Sequence, residues 1–315
     1  FGHNFIIYLN KILKIMTVKL GIAPIAWSND DMPELGGDTP LEQCLSEANA
    51  AGFIGIETGG KFTKHSKDLL PLLKKHNLNL CSGWYGANLR TNSVKEEIDL
   101  IQDQLTLFKD CNSPCMVFAE VSDSVQGDPN KRLSERPQMD LEESKSFYKK
   151  ISEIAKYLED KGMPLAYHHH MGTVIETHED TEKLLENTND SVKLTLDTGH
   201  MLFAQGNSKK ILEDFSSRII HIHCKDIRKN VLENSLENDL SFRGAFLEGA
   251  FTVPGDGCID YKPLFDILKA KDYSGWLVVE AEQDPAKANP FEYAKIGYKY
   301  LTETLKSSNI EIFKN

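Results

Sequence analysis

Short apolar segments alternate with amphipathic segments along this chain, and the alternation repeats eight times. The segments rich in Val, Ile, Leu and aromatic residues, which favour strands, are Leu20–Trp27, Gly52–Glu57, Leu78–Trp84, Cys115–Glu120, Pro164–His169, Val192–Asp197, Ile219–His223 and Gly275–Glu280. The segments that predict helices are Leu41–Ala51, Lys67–His76, Val94–Lys109, Leu141–Lys161, Thr181–Asn187, Lys209–Phe215, Tyr261–Lys271 and Pro290–Leu305. Strands that alternate with helices form a parallel sheet, and eight such units in one chain predict a closed (β/α)8 barrel, the TIM barrel fold.

The length of 315 residues allows either two average domains or one large barrel. No Pro-, Gly- or Ser-rich linker divides the chain, and no G-x-G-x-x-G fingerprint follows the first predicted strand, which disfavours a dinucleotide-binding fold. We therefore expect one catalytic domain over residues 16–315, with residues 1–15 as an extension outside the fold. Two long segments, Val121–Asp140 and Asp226–Asp260, are expected to be functional loops, because loops after barrel strands build the active site.

The acidic composition argues against some classes of partner. A net charge of -11 disfavours nucleic acid and anionic membrane surfaces, because binding to phosphates needs concentrated Lys and Arg. No apolar stretch reaches the ~20 residues that a membrane span requires. The six cysteines are scattered, so we expect free thiols in a reducing compartment and a cytoplasmic protein.

Side chains that could bind a metal or a polar substrate are concentrated where the predicted strands end. Six of the ten histidines lie at the carboxyl ends of predicted strands 5 to 7. By strand alternation, His221 and His223 share one face, as do Glu280 and Glu282 on the last strand. The carboxyl ends of barrel strands converge on one rim, and mixed His and carboxylate ligands suit a divalent ion such as Mn, Co or Zn. The sequence therefore predicts a metal centre at this rim.

Two motifs at the rim resemble the xylose isomerase-like barrel superfamily, which includes sugar isomerases and epimerases, endonuclease IV and inosose dehydratases. They are Asp197-Thr198-Gly199-His200 and His221-Ile222-His223-Cys224-Lys225-Asp226, followed by a strand that ends in Glu280. More specific segments are similar to the inosose dehydratases, and that likeness extends from Lys19 to Leu305. These segments are Gly21–Asp31, Ser82–Tyr85, Tyr167–Thr177 and Gly249–Gly257.

The resemblance implies a reaction and its cofactors. The reaction is loss of water from 2-keto-myo-inositol (scyllo-inosose), a small polyol ketone, to give 3D-trihydroxycyclohexane-1,2-dione in myo-inositol catabolism. The implied cofactors are a divalent manganese or cobalt ion and glutathione, although no residue of this sequence points to glutathione. Neither a nucleic acid nor a membrane is an expected partner, and a homo-oligomer is left open.

The resemblance also implies a set of metal ligands: Glu after strand 5, Asp after strand 6, His after strand 7 and Glu after strand 8. The residues that match the last three are Asp197, His223 and Glu280. His168 stands where the first Glu is usual and is the favoured fourth ligand, with His170 and Glu176 as alternatives. Glu176 also directly precedes Thr177, whose spacing to Asp180 is typical of a helix N-terminal cap.

Elimination of water needs a base for the proton next to the ketone and an acid for the leaving hydroxyl. The candidate bases are Glu280, Glu282 and a neutral histidine. The candidate acids are His200, His170 and Lys225, although Lys225 could instead pair with Asp226. The candidate substrate-binding residues are Trp27 and Trp84 against the apolar face of the ring, Glu57 at the end of strand 2, and Arg228 by its similarity to a substrate contact of the epimerases.

Other functions share these features. A sugar isomerase or epimerase would use the same metal site and would be distinguished by its product. An endonuclease IV-like repair enzyme would need a basic surface for DNA, which the net charge disfavours. A non-enzymatic binding protein on the same scaffold would bind no divalent ion.

Overall fold

The computed structural model describes residues 16–30 and 32–314, so the predicted extension over residues 1–15 lies outside them. The strands are β1 (Thr17–Ile22), β2 (Gly55–Thr58), β3 (Asn79–Ala87), β4 (Met116–Glu120), β5 (Leu165–His168), β6 (Lys193–Asp197), β7 (Ile219–Cys224), β8 (Asp226–Ile227), β9 (Phe251–Thr252), β10 (Trp276–Val279) and β11 (Glu311–Ile312). The helices are α1 (Leu41–Ala51), α2 (Ser66–Lys75), α3 (Val94–Asp110), α4 (Leu141–Asp160), α5 (His178–Glu186), α6 (Thr198–Phe203), α7 (Ser208–Phe215), α8 (Lys229–Glu237), α9 (Phe242–Leu247), α10 (Tyr261–Ala270) and α11 (Pro290–Ser307).

The barrel is closed by parallel pairing in chain order. β1 pairs with β2, the pairing continues through β7, β7 pairs with β10, and β10 pairs back with β1, with Leu20 opposite Leu277. β11 adds to the outside of β1 rather than to the barrel. This arrangement confirms the predicted (β/α)8 barrel.

Eight of the helices, α1–α5, α7, α10 and α11, surround the barrel because each presents an apolar stripe to it. α3 begins at a capping box formed by Ser93 and Glu96, and it buries Ile101, Leu105 and Phe108 in the main core. The predicted helix bounds agree with the structure to within a few residues at most positions. The largest difference is α5, which begins at His178 instead of the predicted Thr181.

The end of the first strand differs from the prediction. β1 ends at Ile22, whereas the apolar pattern predicted a strand as far as Trp27. Pro24 begins a short 3-10 turn over Pro24–Ala26, since proline is preset for a helical turn and has no N–H for a strand ladder. The chain therefore leaves the barrel well before it reaches Trp27.

The long segment 226–260 folds into its own structure instead of a loop. It contains the small two-stranded antiparallel sheet β8–β9, in which Asp226 lies opposite Thr252, and between these strands the helices α8 and α9. Apolar residues from this segment and from neighbouring loops form a second, smaller core, which we call the roof core. Its buried members are Met32, Leu133, Met171, Phe203, Ile227, Leu232, Phe242, Ala245, Phe246, Ala250 and Phe251.

Two further features bear on the expectations from composition. Within residues 16–30 and 32–314, no helix combines the length and the apolar character needed to cross a membrane. All six cysteines are free, and five of them are buried.

Candidate active site

The carboxyl ends of β5, β6, β7 and β10 bring the four favoured metal ligands together. One ligand atom from each of His168, Asp197, His223 and Glu280 lies within 4.8 Å of the other three. Nε2 of His168 is 3.1 Å from Nδ1 of His223 and 3.5 Å from Oδ2 of Asp197. Oε2 of Glu280 contacts the same Nδ1 of His223. We call these four residues the metal quartet.

The metal quartet has the chemistry of a cation site. Oδ2 of Asp197 and Oε2 of Glu280 are buried and form no hydrogen bond of good geometry among the described residues, although both are in ion-pair contact with Nδ1 of His223. Two buried carboxylate oxygens that converge on one point are costly unless a cation lies between them. Two imidazole nitrogens and two carboxylate oxygens form a donor set that Mn, Co and Zn accept. The residues therefore fit a divalent ion.

The two histidines of the metal quartet differ in their electrostatics. Burial lowers the pKa of His168, which favours the neutral imidazole that a metal ligand must be. Burial also acts to lower the pKa of His223, but the carboxylates of Glu280 and Glu57 raise it well above the usual range. A metal ion would therefore displace a proton from Nδ1 of His223 on binding.

A buried ammonium lies beside the metal quartet. Nζ of Lys225 is 2.7 Å from Oε1 of Glu282, 3.2 Å from Oε1 of Glu280 and 3.4 Å from Oδ2 of Asp197. Burial acts to lower the pKa of Lys225, but these three carboxylates raise it above its usual range. Lys225 therefore carries a positive charge within the site.

Lys225 does not pair with Asp226, which was the alternative considered from the sequence. The Asp226 carboxylate accepts hydrogen bonds from the backbone N–H groups of Ile227 and Ile259, at 2.8 and 2.9 Å. Asp226 thereby holds the start of the segment that forms the β8–β9 sheet. Neighbours along an extended chain point in opposite directions, which separates the two side chains.

His170, His200 and Glu282 form a second group of converging side chains. The rings of His170 and His200 are 4.0 Å apart, and Nε2 of His200 is 2.8 Å from Nζ of Lys225. Nδ1 of His170 donates to the carbonyl of Met171 at 2.8 Å, which leaves its Nε2 as the unprotonated nitrogen. Burial lowers the pKa of both histidines well below the usual range, so both are neutral.

A cavity with about 660 Å³ of empty space, part of it open to solvent, lies at this rim. The predicted site residues that line it are Glu57, Trp84, His170, His223, Glu280 and Glu282. Trp84 is 37% exposed, and its ring lies edge-on to the rings of His168 and His170, each with centroids 5.4 Å away. The tryptophan is therefore placed as an apolar wall beside the metal quartet.

The structure does not bring two predicted substrate-binding residues to this cavity. Trp27 is buried elsewhere and donates its indole N–H to Glu47 of α1 at 2.6 Å, because the chain leaves the barrel at Ile22. Arg228 donates to the carbonyl of Gly249 at 2.7 Å and to Asp256 at 2.6 Å. Its guanidinium thus stabilises the segment around β9 instead of lining the cavity.

Glu176, the alternative first ligand, also lies apart from the metal quartet. Its Oε2 accepts the N–H of Gly172 at 2.6 Å, and its Oε1 is 3.5 Å from Arg136. Burial raises its pKa to about 7. The capping box that the sequence predicted for Thr177 and Asp180 is present. Of the three alternatives, His168 is the residue that joins the quartet.

Sequence reasoning missed some residues of the cavity. Asp30 and Gln126 line it from loops, and Oε1 of Gln126 is buried without a partner among the described residues. From the roof core, the Phe242 ring lies 5.2 Å from His170 and the Phe251 ring 5.3 Å from His200. The available signal was the length of the two segments 121–140 and 226–260, which marked them as functional without selecting individual side chains.

Gly199 provides the space that the Lys225 side chain occupies. A Cβ atom at position 199 would lie 2.5 Å from Cγ of Lys225, too close for any real contact. We expect Gly199→Ala to lower the free energy of unfolding by about 1–3 kcal/mol through overpacking, as measured by urea denaturation. As a control, Gly127→Ala adds a Cβ with nothing within 4 Å and should change stability by less than about 1 kcal/mol. Equal stability of the Gly199→Ala variant and the unaltered protein would contradict this packing argument.

Comparison with known proteins finds relatives along almost the whole chain. A family model described as xylose isomerase-like TIM barrel matches residues 45–304. The chain is 42% identical over 298 residues to the rhizopine catabolism protein MocC of Rhizobium meliloti, covering 95% of this chain and 92% of that protein. It is 43% identical over 294 residues to inosose dehydratase 2 of Bacillus cereus, covering 93% and 99%. It is 42% identical over 288 residues to the inosose dehydratase of Clostridium tetani, covering 91% and 97%.

Solved structures share the fold at much lower identity. The IOLI protein crystallised with a zinc atom superposes with a TM-score of 0.68 at 18% identity, covering 92% of this chain and 99% of that one. The probable 3-DHS dehydratase AsbF from Bacillus anthracis gives a TM-score of 0.67 at 17% identity, covering 90% and 99%. At these identities the likeness shows the fold alone.

Proposed function

Because the chain belongs to the xylose isomerase-like TIM barrel family, we propose that it is a metal-dependent dehydratase that removes water from 2-keto-myo-inositol. The product is 3D-trihydroxycyclohexane-1,2-dione, and the reaction belongs to myo-inositol catabolism. The observation that carries this proposal is the identity of 42–43% to inosose dehydratases over at least 91% of the chain. Sugar isomerases and epimerases, the alternative function, share only the fold at 15–16% identity.

The proposed metal ligands are the metal quartet, His168, Asp197, His223 and Glu280. A bound Mn²⁺ or Co²⁺, with Zn²⁺ also compatible with these ligands, would act as a Lewis acid that polarises the substrate ketone. The convergence of the buried carboxylate oxygens of Asp197 and Glu280 on the imidazole of His223 supports this assignment. The glutathione requirement and a cytoplasmic location stay expectations from the sequence.

Glu282 is the proposed base. It lines the cavity, its Oε2 is buried without a partner among the described residues, and its Oε1 accepts from the Lys225 ammonium at 2.7 Å. Lys225 holds this carboxylate in place, and Glu282 takes the proton from the carbon next to the ketone. Glu282 can then return that proton to the departing hydroxyl, so that water leaves with no net gain or loss of protons.

The neighbouring histidines are proposed to orient the substrate and Lys225. Nε2 of His170 carries no proton, so it accepts a hydrogen bond from a substrate hydroxyl rather than donating one. His200 accepts from Lys225 at 2.8 Å and so fixes the direction of the ammonium. In this mechanism the acid is the protonated Glu282, with His170, His200 and Lys225 in supporting roles.

The decisive experiment is a product assay. Protein loaded with Mn²⁺ or Co²⁺ should convert 2-keto-myo-inositol into the ultraviolet-absorbing dione, followed by absorbance and identified by mass spectrometry. Protein stripped with a chelator should be inactive and should recover when the metal is restored. Interconversion of ketoses without loss of water would overturn the dehydratase proposal in favour of an isomerase or epimerase.

A further inference from the structure

Glu57 reaches the back of the metal quartet from the opposite part of the barrel. It lies on β2, and its Oε1 is 2.8 Å from Nε2 of His221 and 3.1 Å from Nε2 of His223. All three side chains are buried. One carboxylate oxygen thus bonds two histidines of β7, of which only His223 belongs to the metal quartet.

The hydrogen bonds of Glu57 determine which nitrogen of each histidine carries a proton. An ionised carboxylate only accepts hydrogen bonds, so both histidines carry a proton on Nε2. The nitrogen of His223 that can give up its proton to a metal ion is therefore Nδ1. That atom lies 3.1 Å from Nε2 of His168 and 3.6 Å from Oδ2 of Asp197, inside the metal quartet.

We propose that Glu57 is a positioning residue that holds His223 in the tautomer and ring orientation required of a metal ligand. His221 supports it, since a second hydrogen bond to the same oxygen fixes the direction of the carboxylate. Carboxylates that accept from the distal nitrogen of a metal-bound histidine orient the ring and strengthen its binding. The inference rests on the metal site of the proposed function and assigns Glu57 a task besides the substrate contact expected from the sequence.

The test measures metal binding directly instead of catalysis. The unaltered protein and the variants Glu57→Gln and Glu57→Leu are titrated with Co²⁺, and the visible absorption bands report both affinity and ligand geometry. We expect Glu57→Leu, which removes the acceptor, to weaken Co²⁺ binding by about 10- to 100-fold and to alter the bands. Glu57→Gln keeps a neutral acceptor of the same shape and should lose less affinity.

Glu97 offers a matched control. It is equally buried and accepts from the hydroxyl of Tyr85 at 2.6 Å and from Nδ2 of Asn92 at 2.9 Å, but among the described residues it contacts no member of the metal quartet. Glu97→Gln should therefore bind Co²⁺ like the unaltered protein, with an unchanged spectrum.

The possible failures of this test are distinguishable. If the Gln and Leu variants at position 57 both bind Co²⁺ with unaltered affinity and bands, the positioning role is overturned while the metal site stands. If the Glu97→Gln variant loses as much affinity as Glu57→Gln, the effect comes from loss of any buried carboxylate, and the role is again overturned. If the unaltered protein binds no Co²⁺, the proposed metal site itself fails, and the role of Glu57 fails with it.

Discussion

Replacing Asp197 with Asn is expected to abolish metal binding and catalysis while leaving the fold intact. Oδ2 of Asp197 is one of the four converging ligand atoms, and it is buried without a hydrogen-bond partner among the described residues. Oδ1 has a different task, since it accepts the backbone N–H of His200 at 2.8 Å and caps α6. An amide oxygen can still cap the helix, but a neutral amide is a far weaker ligand for a divalent ion than a carboxylate.

The expected loss in activity is at least about 10³-fold, which corresponds to roughly 4 kcal/mol of barrier. Metal content after dialysis and the rate of dehydration would be measured on the same preparation, with circular dichroism as the check on folding. Asp140→Asn is the matched control, because Asp140 caps α4 in the same way, at 2.9 Å from the N–H of Glu143, and lies outside the site. A folded Asp197→Asn variant that keeps its metal would show that Asp197 is not a ligand.

The barrel could be predicted because it depends on short-range patterns, whereas the choice of the four quartet residues came from the family resemblance. Apolar periodicity marked each strand, and the rule that barrel strands converge at their carboxyl ends brought strand-end residues to one rim. Asp197 is the last residue of β6, and His168 is the last of β5. Glu280 follows β10 directly. An error of one or two residues in a strand boundary therefore moved none of these away from the rim.

The remaining parts of the site depend on contacts that no local pattern encodes. Glu57 was expected to contact substrate, but its bonds to the β7 histidines, 164 and 166 residues away, exist only once the barrel has closed. Lys225 follows His221 and His223 in the same alternation, yet its carboxylate partners come from β6 and from the end of β10. The buried ion-pair cluster around Lys225 therefore forms only in the tertiary structure.

Loop residues were predicted least well, because their direction depends on where each strand ends. The indole of Trp27 reaches α1 instead of the cavity, since Pro24 turns the chain away after Ile22. The segment 226–260 was expected to be a loop, but its apolar residues find partners in other loops and form the roof core. Phe242 and Phe251 reach the active-site histidines through that packing.

Replacing Lys225 with Met should produce the largest loss of stability among these variants. Met keeps an unbranched, flexible side chain in the space beside Gly199 but removes the ammonium, which leaves Glu282, Glu280 and Asp197 facing one another without their cation. Removing one partner from a buried charge cluster typically costs about 3–5 kcal/mol, so the metal-free variant should lose about that much free energy of unfolding. Ion pairs of surface lysines contribute much less to stability, because water screens their charges.

The same variant tests whether the metal quartet accepts a cation, because a divalent ion would offset part of the uncompensated negative charge. The free energy of unfolding would be measured by denaturant titration with and without Mn²⁺, and the gain on adding metal should be larger for Lys225→Met than for the unaltered protein. Lys210→Met is the control: Lys210 pairs with Glu182 and Asp214, but its side chain is 51% exposed, so the loss should stay below about 1 kcal/mol. Equal stability of Lys225→Met and the unaltered protein without metal would show that the buried ammonium does not hold these carboxylates together. An equal gain on adding Mn²⁺ would instead show that the bound ion does not contact the carboxylates that Lys225 contacts.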